Sequence, residues 1–325
     1  MNTEFFASTV PPAGLAARPR RAVAIRAKSI DTQFLHTLRH EGLRGRVHSV
    51  FERVVNIECA HGELFTLACS DLDDAPSTAI LELSGFGATG IEVGDPVVGA
   101  GDKLRVGECL VIVPPRASRW DCIVPGYPQR TETLRFNLHV LQEHLEQPGT
   151  TGGMLAAREP THAFEAAVAQ LLDERAAALQ RALERSDLVS ACEQAKGLLG
   201  LGPGLTPSGD DFLVGLFAVL NIAGSPCHRW LRGGADVLGD AVRSTHAISV
   251  AALAQAARGC VRESIVALIE HLMYGTPGRL AVPLRRVLAI GSSSGADIVA
   301  GVRCGFELNL FHETPHEGRS SCQSR

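Results

Sequence analysis

The chain has no CxxC pair, no long apolar run and no surplus of one charge, and each absence removes a class of protein. Its nine cysteines (Cys59, Cys69, Cys109, Cys122, Cys192, Cys227, Cys260, Cys304 and Cys322) are scattered and odd in number, which argues against a zinc site and a disulfide framework. Most stand in apolar strings, where a reduced cysteine behaves as a small hydrophobe. A reducing compartment, the cytoplasm, is therefore expected. Residues 1–21 carry Pro11, Pro12 and Pro19 but no apolar stretch long enough for a signal sequence or a membrane span. Lys and Arg number 31 against 35 Asp and Glu, a net charge of −4, so the electrostatic footprint of a nucleic-acid binder is missing. What remains is a globular chain of 325 residues, long enough for two domains. Its partner is expected to be a small ligand or another protein.

Two hydrophobic periods divide the chain. Over residues 45–130 short β-rich bursts at 47–51, 54–59, 64–69, 79–83 and 109–113 alternate with turn residues such as His61-Gly62, Gly94-Asp95-Pro96 and Gly101-Asp102. That spacing predicts an antiparallel sandwich or small barrel rather than βαβ units. Pro125, Gly126 and Pro128 close the block, and over 131–312 the period is helical. Phe164, Val168, Leu171, Leu172, Ala176, Leu179 and Leu183 fall on one helix face. Further helices are expected at 187–198, 210–222, 235–257, 261–273, 280–289 and 295–305. The one after Asp210 is apolar nearly all round and should be the buried centre of the bundle. The fold class is thus α+β. Residues 1–44 read as an N-terminal arm with a short helix, and 313–325 as a disordered tail.

Within the helical half an echo stands out. Ser208-Gly209-Asp210-Asp211, two apolar residues, Val214 and Gly215 are matched in type by Ser294-Gly295-Ala296-Asp297, two apolar residues, Ala300 and Gly301. Each Ser precedes an Asp by three residues, as in an acidic capping box, so both segments mark helix N-termini. Gly215 and Gly301 sit inside apolar helices, where each costs roughly 0.5–1 kcal/mol relative to Ala, so close backbone approach is expected there. If the two helices cross at these glycines, their starts lie together and offer two sets of backbone N–H groups to one ligand. The run Gly200-Leu201-Gly202-Pro203-Gly204-Leu205-Thr206-Pro207 before the first helix adds glycines and a hydroxyl, the makings of a small-anion site. Asp210 is the anomaly, since a second carboxylate beside an anion needs a cation, a proton or an NH group as its partner. The run lacks the lysine of a Walker loop and the spacing of a dinucleotide motif. A polar cluster, Arg243-Ser244-Thr245-His246, interrupts an Ala-rich stretch and reads either as a solvated helix boundary or as a ligand contact.

The string GLGPGLTPSGDDFLVG, followed by Ser244-Thr245 and by SSGAD from Ser293 to Asp297, resembles the AllH-type subunit family of oxamate carbamoyltransferase over roughly residues 45–310. One departure is Ser292, where that pattern often has a histidine. The resemblance implies carbamoyl transfer between oxamate, as oxalurate, and phosphate, with carbamoyl phosphate as product, in allantoin or purine breakdown, and a complex with two different partner subunits. It marks Gly202, Gly204, Thr206, Ser208, Asp210, Asp211, Ser293, Ser294 and Asp297 as the site without assigning their roles; by their chemistry Asp210, Asp211 and Asp297 are the catalytic candidates, and Gly202, Gly204, Thr206, Ser208, Gly209, Thr245, Ser293 and Ser294 the substrate-binding ones, with no required cofactor. In this picture Asp210 accepts from the substrate NH2. The Ser-Thr-Arg-Thr-Arg and His-Pro-x-Gln signatures of ordinary transcarbamylases are absent. Two other readings stand beside it: a phosphotransferase whose Asp210, Asp211 and Asp297 hold Mg2+ against a nucleotide, and a non-catalytic assembly subunit whose Gly-rich loop docks a partner.

Overall fold

The computed structural model describes residues 23–59, 62–146, 154, 163–231, 239 and 244–313. The proline-bearing arm, the tail beyond 313, Arg243, Cys322 and most of the first half of the helix expected from Ala235 lie outside the described residues.

The N-terminal half is a barrel. Its strands are β1 (Ala24–Asp31), β2 (Leu43–Val50), β3 (Val54–Cys59), β4 (Leu64–Ala68), β5 (Thr78–Leu81), β6 (Pro96–Ala100), β7 (Lys103–Val106), β8 (Cys109–Ile112) and β9 (Ser118–Trp120). They are ordered β5-β4-β3-β2-β6-β7-β8-β1, and β1 pairs back to β5 to close the ring, with β9 added along the end of β1. Of the two forms expected, sandwich or barrel, closure selects the barrel, which leaves few free edges. Its pairing is mixed rather than antiparallel, because β4–β5, β1–β8 and β1–β9 run parallel. Strand β1 lies inside the stretch read as an arm. Its buried positions begin with Ile25 and Ala27, and so small a residue as Ala27 weakens the period-2 signal. Asp31 ends the strand, accepts from Phe34 N at 3.2 Å, and so starts α1 (Thr32–His36). That short helix drops Phe34 and Leu35 into the barrel core beside Ile57, Leu67, Leu104 and Val111.

The C-terminal half is helical: α2 (Glu132–Leu145), α3 (Ala163–Glu184), α4 (Leu188–Leu198), α5 (Ser208–Leu220), α6 (Ala247–Ala256), α7 (Glu263–Tyr274), α8 (Ala281–Leu288) and α9 (Ser294–Glu313). Every residue of α5 is buried, as its all-round apolar surface requires. The expected face of α3 is realised except at its N-terminal end. Leu172, Leu179 and Leu183 are buried, whereas Phe164 is 78% exposed. The two halves of the molecule are joined by polar contacts from α6, α7 and the turn between them to the barrel loop after β4. Arg262 pairs with Asp73 at 2.6 Å, Ser264 N donates to Asp73 Oδ2 at 2.8 Å, Glu263 N donates to Asp74 O at 2.9 Å, and Gln255 Nε2 donates to Ser77 Oγ at 3.2 Å. Burial works against the Asp73 carboxylate, but Arg262 and the Ser264 bonds outweigh it and hold its pKa below the usual value.

Candidate functional site

Helices α5 and α9 cross where the glycines predicted it. A Cβ on Gly215 would lie 2.1 Å from Ile298 O, and one on Gly301 would lie 1.9 Å from Phe212 O. The contacts are reciprocal, since the next atoms met are Val302 N and Leu216 N. Only glycine permits backbone to pack on backbone so closely. The crossing brings the two helix starts together, and Thr206 Oγ1 and Ser294 Oγ share a hydrogen bond of 2.9 Å.

The starts differ from a capping box. Ser208 is the first residue of α5, and its cap, Pro207, makes no side-chain bond; backbone carbonyls do the capping instead. Asp210 N and Asp211 N donate to Pro207 O at 2.9 and 3.1 Å, as Ala296 N and Asp297 N donate to Ser293 O at 2.9 and 3.1 Å. Gly209 N and Gly295 N reach back to Leu201 O and Ile290 O, both at 2.9 Å. The expectation of two sets of open amides is corrected for these six, whose N–H groups are taken by carbonyls of the residues before each helix. The Ser294 hydroxyl instead reaches Thr206 before the other helix, and the Ser294 and Ser208 hydroxyls favour the charged forms of Asp211 and Asp297 respectively.

Among the remaining candidates, Gly202 has φ of 119° and lies against Ser208, so a Cβ would meet Ser208 N at 2.7 Å. Gly204 has φ of 102°, and a Cβ there would meet only Thr206 O, at 4.0 Å. Gly209 passes the end of α4, where a Cβ would be 2.1 Å from Leu198 O. Asp210 is 1% exposed. Its Oδ1 accepts from Gly200 N at 2.9 Å and its Oδ2 from Thr245 Oγ1. It thus ties both the Gly-rich loop and the polar cluster before α6 to the first turn of α5, and both oxygens already serve the protein rather than a substrate NH2. Of that cluster, Ser244 and His246 are exposed.

Asp211 points elsewhere. It is 7% exposed, its Oδ2 is buried without a hydrogen-bond partner, and its pKa is pushed up to about 7. Burial is the main cause; the Ser294 and Thr206 hydroxyls pull the other way, and the charges of Asp297 and Asp210 add to the rise. Asp297 is fully buried, accepts from Met154 N at 2.5 Å, and also leaves Oδ2 unpartnered. Its pKa rises to about 6, again through burial, opposed by the Met154 and Ser208 bonds.

Asp211, Thr206 and Ser294 form part of the wall of a cavity of about 510 Å3 between the barrel and the helices. The other candidates do not line it. The barrel contributes Phe51, Arg53, Asn56 and Thr66, and the helical half contributes Val214, Gln255, Cys260, Arg262, Ile265 and Ile298. Arg262 keeps a buried Nε without a partner, so the cavity holds an acid that is half-protonated near neutrality and, elsewhere on its wall, guanidinium groups. Sequence reasoning named neither arginine. Each stands alone in its segment and joins the site only through the contact between domains. Among the described residues no group of three or more His, Cys, Asp or Glu is placed to hold a metal ion; Asp210, Asp211 and Asp297 do not form the cluster that the Mg2+ reading needs.

Two family models match the chain. Residues 198–306 match the oxamate carbamoyltransferase subunit AllH, and residues 26–118 match the AllH family N-terminal domain. No solved structure matches it.

Proposed function

The chain belongs to the AllH family, the oxamate carbamoyltransferase subunit family, and from that premise we propose that the cavity between its domains is where it takes part in carbamoyl transfer. The reaction is oxalurate plus phosphate giving oxamate plus carbamoyl phosphate. A phosphate oxygen attacks the carbamoyl carbon, the bond from that carbon to the oxamate nitrogen breaks, and the nitrogen takes a proton. Both substrates are small anions, and one carries a carboxamide. The guanidinium groups of Arg262 and Arg53 attract the anionic part. The Thr206 and Ser294 hydroxyls donate to oxygen. Asp211 supplies the proton to the leaving nitrogen and takes it back in the reverse direction. An acid works best in such a step when its pKa lies near the working pH.

The observation that carries this reading is the state of Asp211: a buried carboxyl on the cavity wall with an unpartnered oxygen and a pKa of about 7. Asp210 and Thr245 position the loop that brings Thr206 to it, and Asp297 and Ser208 complete the mirrored half. The chain works with two different partner subunits, in the cytoplasm, in the breakdown of allantoin or another purine product. The test is formation of carbamoyl phosphate from oxalurate and phosphate by the reconstituted complex, with Asp211→Asn in this chain. Loss of turnover with the complex still assembled supports the reading. Unchanged turnover assigns the chain to assembly alone.

A further inference from the structure

Beside the residues given a role above, one pair of side chains joins the two halves of the molecule without an assigned role. Cys122 follows β9, at the exit from the barrel, and Cys260 lies in the turn between α6 and α7. The Cys122 sulfur rests over that turn, accepting from Val261 N at 3.3 Å and donating to Gly259 O at 3.7 Å, with Cys260 between those two residues. The Cys122 sulfur thus sits against the residue that carries the second thiol. Cys260 also lines the cavity and both are only partly buried, whereas Cys69, Cys109, Cys227 and Cys304 are buried. We propose that Cys122 and Cys260 are a reversible thiol–disulfide pair, closed by a low-molecular-weight disulfide such as oxidised glutathione, which staples the barrel exit to the helical domain.

The steps balance. The Cys260 thiolate attacks one glutathione sulfur and expels the other as thiolate, leaving a mixed disulfide. Cys122 then gives up its proton and attacks the Cys260 sulfur, expelling the second glutathione. Two protein thiols are oxidised, and one glutathione disulfide is reduced to two thiols. Cys260 is the suited first nucleophile because its side chain opens on the cavity and the neighbouring Cys122 thiol brings its pKa down to about 7 against the opposing effect of burial. Cys59, by contrast, is pushed up to about 11, chiefly by burial. The proposal does not depend on what the cavity binds.

The experiment is incubation of the full chain with oxidised glutathione, followed by non-reducing peptide mapping and thermal melting. The expected result is a Cys122–Cys260 cross-linked peptide that dithiothreitol reverses, with a melting temperature higher by on the order of 5 °C in the oxidised protein, because the cross-link closes a long loop. Cys122→Ser should stop at glutathione on Cys260, and Cys260→Ser should give neither product. A wild-type chain that keeps glutathione on Cys260 without the cross-link, links other cysteines, or stays reduced at both positions overturns the proposal. The wild-type map decides this even if a variant fails to fold.

Discussion

At α5 and at α9 the first turn is made in the same way: a glycine amide reaches back to its own loop, the next two amides share one carbonyl, and a serine hydroxyl favours the charged form of the partner helix's Asp. What differs is the loop and the third position. The first loop is long and Gly-rich, and Asp210 holds it through Gly200 N and Thr245. The second is short and has Ala296 in the equivalent place. Asp211 then opens on the cavity, while Asp297 is closed off by Met154 N. A duplicated scaffold thus yields one carboxyl facing a ligand space and one that supports it. The asymmetry comes from the loop and not from the crossing.

The strongest way to break this comparison is to exchange the two acids for amides. Asp211→Asn should lower turnover of the reconstituted complex by about 10²–10⁴, the range for removing a general acid. Asp297→Asn should act less and through KM as well as kcat, since it positions rather than reacts; equal losses, read by steady-state kinetics, would contradict the division of roles. Next come the crossing glycines. Leu at Gly301 or Gly215 puts a side chain where backbone atoms stand about 2 Å from the missing Cβ, so each should cost roughly 3 kcal/mol or more in denaturant unfolding. A large difference between the two would show that the crossing is not reciprocal.

The two acids also predict a pH dependence of stability. Burial raises Asp211 to about 7, above the ordinary carboxylate value near 3.9. The folded state therefore holds the proton more tightly than the unfolded one. The stability this provides is complete below about pH 4 and is lost as pH rises to about 7. Relative to wild type, Asp211→Asn should gain on the order of 4 kcal/mol between those limits, and Asp297→Asn should gain less, over a window that ends near 6. Parallel melting curves for wild type and variants across this range would contradict it. The smallest effect is expected at the brace. Asp210→Asn keeps one acceptor and loses the other, which should cost about 1–2 kcal/mol and weaken substrate binding without moving the pH profile of kcat.

Much of this arrangement was legible in the sequence. Mid-helix glycines are unfavourable enough to announce a close crossing, and the change from short β-rich bursts to a helical period announced two different halves. What stayed hidden depended on direction and on distance along the chain. Asp210 and Asp211 are neighbours, yet consecutive helix residues point about 100° apart, and only the fold shows which one meets the cavity. The helix-end amides looked open because the sequence does not reveal that Leu201 and Ile290 carbonyls return to them. Strand β1 escaped because its small buried residues give a weak alternation. Arg262 and the Cys122–Cys260 pair depend on contacts between halves far apart in sequence, which no local pattern encodes.

The account rests on Asp211 facing the substrate, and the most direct measurement is a crystal structure of the chain with oxamate bound at neutral pH. The account predicts oxamate in the cavity between the barrel and the helices, its NH2 within hydrogen-bond distance of the Asp211 carboxyl and its carboxylate toward Arg262. Oxamate bound elsewhere, with this cavity free of it, would contradict the claim.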